Sequence, residues 1–206
     1  MLVAVGIGPG DPELLTLRAA RLLKEADQVF VPGEVAREIV APFRRDVTVL
    51  SFPMTDDEAH IRECMEKNVD IIAPAALNGL AVFGILGDPN FYGTFGRLSM
   101  IIRERHPEME VMTVPGISSI TAFASVAGVT VSGGFGISDG SDERAKILLK
   151  VRKPKETASA LRKEGFNEFV LVEKMYMEGE RVFRGPDLPE KSPYFSVMFA
   201  EKGDSI

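Results

Sequence analysis

Short apolar segments alternate with longer segments of helical periodicity along most of the chain. The first segment, LVAVGIG, is rich in β-branched residues and ends in the turn GPGDP, so it predicts a buried strand. A helix is predicted from Pro12 to Ala26, with Asp11 as its N-cap and Pro12 at its first position. Strands that alternate with helices in this way predict an α/β fold with a mainly parallel N-terminal sheet.

The same alternation continues to the end of the chain. Further strands are predicted at QVFVPG, VTVLSF, AVFGILGDP, MEVMTVPG, AKILLKV and EFVLVEK. Further helices are predicted over residues 56–67, 94–105, 117–128 and 154–164. A last hairpin is predicted from ERVFRG and YFSVMFA, and two such adjacent strands indicate a mixed C-terminal sheet.

A domain boundary is predicted where one helix ends and a new strand begins. His106 and Pro107 break the helix that precedes them, because a residue before proline disfavours helical backbone. The boundary is therefore expected between Arg105 and Glu110, which divides the chain into domains of residues 1–108 and 109–206.

Composition narrows the class of protein. The 206 residues include 45% hydrophobic and 26% charged residues, the balance of an ordinary globular protein. No apolar run approaches the roughly 20 residues that span a bilayer. Cys64 is the only cysteine, so no intrachain disulfide is possible and a cytoplasmic location fits best. The net charge of −6 argues against a nucleic-acid-binding protein.

Three glycine- and proline-rich turns follow predicted strands, and they are the candidate binding elements. They comprise residues 6–11, 87–89 and 115–119. Ligands of open α/β sheets bind outside the carboxyl ends of the strands, and glycine lets a ligand approach the backbone closely. The turns therefore predict a cleft for a small molecule, although each taken alone is equally well explained as ordinary loop structure.

The residue sequence of the first turn argues against a dinucleotide-binding site, and the chain as a whole lacks a nucleotide-hydrolysis motif. The pattern of this turn, Gly-x-Gly-Pro-Gly-Asp-Pro, departs from the dinucleotide fingerprint because Pro9 and Pro12 remove backbone donors. Asp11 adds a negative charge where a pyrophosphate would bind. The chain also lacks a Walker-type Gly-Lys-Ser/Thr sequence.

Few side chains are candidates for chemistry. Asp88 at a strand end is the best candidate for a general base, with capping of its own turn as the alternative. Tyr92 is placed to donate a hydrogen bond to a substrate or to pack beneath it. His60 and His106 lack neighbours at metal-ligand spacing, so no bound metal is predicted.

Cationic side chains near the turns are candidate partners for substrate carboxylates. Arg18, Arg97 and Lys150 are close to them in sequence, and an ordinary surface role is the simpler interpretation of each.

The three turns also carry a family resemblance. GIGPGDPELLTLRAARLLKEAD, ILGDPNFYGTF and VPGISSITAFA resemble the tetrapyrrole (corrin/porphyrin) methyltransferases in order and spacing, and KILLKV, FVLVEKMYMEGE and YFSVMFAE resemble later segments of that family. The resemblance implies a two-domain α/β protein, usually a homodimer, with S-adenosylmethionine in the cleft between the domains and S-adenosylhomocysteine as product. The cofactor contacts it implies are Pro9, Leu86, Gly87, Asp88, Phe91, Ser118, Ser119, Leu149 and Met175.

Within the family, LGDPNFYGTF followed by VPGISS most resembles enzymes that methylate carbon-20 of precorrin-2 or cobalt-factor II in cobalamin biosynthesis. The segment from Thr130 to Lys146 departs from that subfamily, because it is shorter. Two alternatives therefore stay open. One is methylation of another acceptor, such as carbon-11 of a corrin precursor or uroporphyrinogen, and the other is a protein that binds the cofactor without turnover.

Overall fold

A computed structural model describes residues 1–203 of the chain. The chain forms two compact units, the first from Met1 to Phe135 and the second from Gly136 onwards. No helix within residues 1–203 combines the length and the apolar character needed to cross a bilayer.

The first unit is built on a parallel sheet. Its strands are β1 (Leu2–Gly6), β2 (Gln28–Val31), β3 (Val47–Val49), β4 (Ala81–Ile85) and β5 (Val111–Val114), in the order β3-β2-β4-β1-β5. Its helices are α1 (Leu17–Glu25), α2 (Glu34–Val40), α3 (Glu58–Asn78), α4 (Phe95–Arg105) and α5 (Ser119–Ala127). Every strand pairing in this sheet is parallel within the described residues.

Helices cover both faces of the central strands, which explains why these strands are apolar throughout. Leu2 and Phe83 pack on one face in a cluster with residues of α3 and α4. Val3 and Val82 pack on the other face with residues of α1 and α2. Strands buried on both faces lose the alternation of polar and apolar positions. The apolar runs in β1 and β4 are therefore a direct consequence of this layering.

The second unit contains a smaller, antiparallel sheet. Its elements are β6 (Ala145–Leu149), α6 (Pro154–Arg162), β7 (Glu168–Glu173), β8 (Arg181–Arg184) and β9 (Ser196–Glu201), and the strand order is β6-β9-β7-β8. Phe169, Leu171 and Met198 pack with Ala158 and Leu161 of α6 on one face. Burial alternates along β7 and β9, as expected for a sheet with one face on the core.

The predicted α/β class and the mainly parallel first sheet are confirmed. The pairings of the second sheet are antiparallel throughout its described strands, where the sequence predicts a mixed sheet. The predicted hairpin of the last two strands is wrong, because β9 inserts between β6 and β7 while β8 pairs with β7. Both strands have the right apolar pattern, and only long-range pairing decides their neighbours.

The helix predicted over residues 12–26 is two elements. A single 3-10 turn covers Pro12–Leu14, and Leu15 then adopts extended backbone. Thr16 caps α1, since its hydroxyl accepts a hydrogen bond from the Ala19 N–H at 3.1 Å. Helix α2 has no counterpart among the predicted helices, and α3 continues to Asn78, past the predicted end at residue 67.

The first unit extends past the boundary expected between Arg105 and Glu110. β5 begins at Val111, after that boundary, yet it pairs with β1 from Leu2↔Val111 to Val5↔Val114. Because β5 completes the first sheet, the compact units divide between Phe135 and Gly136.

The ends of β1 and β5 approach so closely that neither tolerates a side chain at the contact. A Cβ atom built on Gly116 would lie 2.6 Å from the Gly6 Cα, and one built on Gly6 would lie 2.5 Å from the Gly116 Cα. Both contacts are to backbone atoms, which have little freedom to move away. Glycine is therefore required here by packing between neighbouring strands.

We predict that Gly116→Ala lowers the free energy of unfolding by about 1–3 kcal/mol, the usual cost of overpacking a tight interior. Gly96→Ala in α4 is the matched control, because a Cβ there meets no atom within 4 Å. The control should change stability by less than about 1 kcal/mol. Urea unfolding of both variants measures the difference, and equal stabilities would contradict the packing argument.

Candidate functional site

The three predicted turns lie together at one edge of the first sheet. They follow β1, β4 and β5, which are adjacent in the order β4-β1-β5 and run parallel, so their carboxyl ends share an edge. The first two turns are joined directly, since the Gly87 N–H donates to the Gly8 carbonyl at 2.9 Å. The Gly6–Gly116 contact brings the third turn against the first. The sequence-predicted cluster is thus present within the first unit.

The Asp88 side chain links the second turn to the third by hydrogen bonds. This side chain is only 7% exposed. One carboxylate oxygen accepts from the Asn90 N–H at 2.8 Å, and the other accepts from the Gly116 N–H at 3.1 Å. Both oxygens thus serve the backbone of the site, which agrees with the capping alternative and extends it to a neighbouring turn.

Asn90 adds a second link that the sequence analysis does not identify. Its side-chain amide donates to the Thr113 hydroxyl on β5 at 3.2 Å. Asn90 is part of the LGDPN turn, where an amide two residues after Asp88 is an ordinary turn residue. Its partner is revealed only by the pairing of β5 beside β1.

Apolar side chains at the second turn are left in solvent. Leu86 and Phe91, both implied cofactor contacts, are exposed. Tyr92 is 68% exposed, has a φ of 50°, and its hydroxyl has no hydrogen-bond partner among residues 1–203. A non-glycine residue held at positive φ costs energy and is often retained at binding sites. The turn therefore offers an apolar surface with a hydroxyl that is available to a ligand.

In the first and third turns, polar side chains bond to nearby backbone and the main chain itself is the surface open to a ligand. The Asp11 carboxylate accepts from the Glu13 N–H at 2.9 Å, so the polar end of this turn is satisfied internally. Pro9 is half-buried beside it. Ser118 caps α5, with its hydroxyl accepting from the Ile120 N–H at 3.2 Å, and Ser119 is exposed as the first residue of that helix.

The two implied contacts of the second unit are both at strand ends. Leu149 is the last residue of β6 and is 68% exposed. Met175 is exposed in the turn after β7, between Lys174 and Tyr176, which have φ values of 50° and 60°.

The cationic candidates differ in their surroundings. Arg97 donates to both carboxylate oxygens of Glu58 at 3.0 and 3.2 Å, which fits the surface role. The Lys150 ammonium lies 5.3 Å from the centre of the Tyr194 ring. Arg18 is exposed on α1.

The first-unit site offers exposed apolar side chains and open backbone to a small molecule. Its glycines leave backbone open to close approach, and its carboxylate is already occupied by backbone donors. Leu86 and Phe91 supply apolar contact area. Open backbone and apolar side chains are compatible with S-adenosylmethionine, whose adenosine part is uncharged.

Curated relatives match this chain over most of its length or over about two thirds of it. A probable cobalt-precorrin-2 C(20)-methyltransferase of Methanocaldococcus jannaschii is 28% identical over 96% of this chain and 94% of that protein. A uroporphyrinogen-III C-methyltransferase of the same organism is 29% identical over 64% of this chain and 53% of that protein. The cobalamin biosynthesis protein CobIJ of Mycobacterium tuberculosis is 29% identical over 98% of this chain, which spans only 46% of that longer protein.

Solved structures agree with the fold. A cobalamin synthesis related protein (CobF) from Corynebacterium diphtheriae has a TM-score of 0.53 at 15% identity, over 99% of each chain. At this level of identity the likeness concerns the fold alone.

The sequence model of the family Tetrapyrrole (Corrin/Porphyrin) Methylases matches residues 1–187, which include all three turns and both second-unit contacts. Methylases of this family take their methyl group from S-adenosylmethionine. The chain therefore belongs to the tetrapyrrole (corrin/porphyrin) methylases, and it is an S-adenosylmethionine-dependent methyltransferase.

Proposed function

We propose that this methyltransferase acts in cobalamin biosynthesis and methylates carbon-20 of precorrin-2 or cobalt-factor II. The observation that carries the proposal is the end-to-end similarity to the Methanocaldococcus jannaschii protein named for that reaction. The wording of the second and third turns, LGDPNFYGTF and VPGISS, supports the same acceptor.

The chemistry asks little of protein side chains. The donor's sulfonium group supplies a methyl that is already electrophilic, and the acceptor carbon of a conjugated tetrapyrrole is nucleophilic. The protein's task is to align the two reactants and to exclude water from between them. Backbone at the three turns, with Leu86 and Phe91 as apolar walls, suits that task better than a charged site would.

Two side chains are proposed to act during the reaction. Asp88 holds the turns in place and, in this proposal, accepts the proton released after methyl transfer, since a carboxylate can accept more than two hydrogen bonds. Tyr92 is proposed to donate a hydrogen bond from its exposed hydroxyl to the substrate. Pro9, Gly87, Ser118, Ser119, Leu149 and Met175 are proposed as cofactor contacts, together with the two apolar walls and Asp88 itself.

Uroporphyrinogen is a second candidate acceptor, because a relative named for its methylation is about as similar to this chain as the C(20)-methyltransferase. The uroporphyrinogen-III C-methyltransferase of Methanocaldococcus jannaschii is as similar per residue, although over a smaller share of the chain. The broader coverage of the C(20)-methyltransferase favours the first proposal.

The proposal predicts a single methylation at one ring position. Purified protein should convert precorrin-2 or cobalt-factor II, with S-adenosylmethionine, into a product heavier by one methyl group. Mass spectrometry detects the gain, and NMR of the product should locate the new methyl on carbon-20. A methyl on another carbon, or faster turnover of uroporphyrinogen, would favour the second acceptor. If S-adenosylhomocysteine binds but none of these acceptors is methylated, the natural acceptor is a different tetrapyrrole and the proposed reaction is wrong.

Asp88→Asn separates the turn-holding role from the proton-accepting role. The amide nitrogen cannot accept from a backbone N–H, so one of the two bonds is lost and S-adenosylhomocysteine should bind more weakly. If Asp88 is also the base, the single-turnover rate at saturating cofactor should fall by roughly 10²–10⁴-fold. Calorimetry and rapid-quench kinetics on one preparation measure both quantities.

Asp57→Asn is the matched control for that variant. Asp57 also accepts two backbone N–H bonds, from Ala59 at 3.0 Å and His60 at 3.1 Å, but both donors belong to α3, whose N-terminus it caps. Asparagine is an equally good N-cap, so this variant should keep the parent's affinity and rate. A parent-like rate for Asp88→Asn at saturating cofactor would limit Asp88 to holding the turns.

We also propose that the protein is a cytoplasmic homodimer, as the family resemblance implies. Exposed Phe123 and Val126 on α5, and exposed Ile147 and Val182 on the second sheet, give each unit apolar surface of its own. Light scattering after gel filtration should therefore give twice the chain mass of 22.5 kDa. A monomer mass across the tested concentrations would contradict the dimer.

A further inference from the structure

Glu173 is a buried carboxylate that the proposed reaction does not use. It ends β7 and is only 1% exposed, although the residues that follow it are on the surface. A charge at the end of the apolar strand FVLV is visible in the sequence, and its burial is visible only in the structure. Buried charges are kept only with partners, since removing a charge from water is costly.

Its partners come from two segments on either side of β7. One carboxylate oxygen accepts from the Arg181 guanidinium, from Nε at 3.0 Å and from Nη2 at 2.6 Å. The other accepts from the Ser192 hydroxyl at 2.6 Å. Arg181 begins β8 and is registered opposite Glu173, while Ser192 precedes β9. Through these hydrogen bonds, the Glu173 side chain links the end of β7 to the start of β8 and to the segment that precedes β9.

Between Glu173 and Arg181 the chain makes a strained turn, residues 174–180. Lys174 and Tyr176 both adopt positive φ, which side chains other than glycine rarely do. The Tyr176 N–H donates to the Glu180 carboxylate at 2.5 Å, and the Met177 N–H donates to the Lys174 carbonyl at 2.8 Å. Met175 is exposed between the two strained residues.

We propose that Glu173 is a positioning residue for cofactor binding, which holds the 174–180 turn in the strained shape that presents Met175. The inference rests on the proposed contact between Met175 and S-adenosylmethionine.

Two physical facts favour positioning over simple stability. An ion pair with a buried member stabilises a fold no better than well-packed apolar side chains of the same volume. Strained backbone persists only where its surroundings over-determine it. Glu173 holds both ends of the strained segment, through its own backbone at one end and the Arg181 guanidinium at the other. Without that tie, only backbone bonds hold the ends of the segment, namely the Glu173–Arg181 pairing and the Lys174 N–H to the Phe195 carbonyl at 2.7 Å. We expect the turn then to relax toward unstrained φ values and to move Met175.

Glu173→Gln tests the inference with the whole chain. The amide has a single neutral oxygen. Either it accepts from the Ser192 hydroxyl and the guanidinium faces an N–H donor, or it accepts from the guanidinium and the Ser192 hydroxyl loses its acceptor. Hydrogen exchange at the Tyr176 and Met177 amides should become faster. The dissociation constant of S-adenosylhomocysteine should rise about tenfold. This is the change in affinity expected if binding must restore the strained backbone of one residue. The single-turnover rate at saturating cofactor should stay within about twofold of the parent, because the reacting groups are unchanged.

Glu168→Gln is the control, since Glu168 is exposed at the opposite end of the same strand. It should leave the exchange rates and the affinity unchanged. Ser192→Ala provides a milder variant that removes one bond, in case Glu173→Gln fails to fold, and it should change the same two measurements in the same direction.

The outcomes separate this inference from the proposed function. Unchanged exchange in the turn, or faster exchange with parent-like affinity, would overturn the positioning role. A lower urea midpoint with neither change would make Glu173 merely structural. If the parent itself gives no binding heat with S-adenosylhomocysteine, the proposed function fails, and the positioning role fails with it.

Discussion

The contact between the backbones of Gly6 and Gly116 is the constraint on which the candidate site depends. It brings the ends of β1 and β5 closer than side chains would allow, and the β4 turn joins them through the Gly87–Gly8 hydrogen bond. The Asp88 carboxylate accepts from the Gly116 N–H at the same place. Three loops that are far apart in sequence thereby become one surface of fixed shape.

That surface satisfies most of its own polar groups. The carboxylates of Asp11 and Asp88 and the Ser118 hydroxyl accept hydrogen bonds from nearby backbone N–H groups. What remains for a ligand is open backbone, exposed apolar side chains and the Tyr92 hydroxyl. Such a site is suited to a donor that carries its own reactivity, because the protein needs only to hold two reactants in line and keep water away.

The two units differ in how their sheets are covered, and this difference decided how well each could be predicted. The central strands β1 and β4 of the first sheet are buried on both faces, so each appears as a continuous apolar run followed by a turn, and its position is readily found. Strands of the second sheet alternate, and several partners fit the same alternation equally well. The predicted pairing of β8 with β9 therefore failed although both strands exist.

The sequence by itself determined the α/β class, the position of most strands, and the three turns with their family. These features depend on residues a few positions apart, where periodicity and turn chemistry act. Tertiary structure alone decided that β5 belongs to the first unit and that β9 lies between β6 and β7. It also gave Asp88, Asn90 and Glu173 their partners. Each of these depends on groups distant in sequence, and their proximity is created by strand pairing and packing rather than by local preference.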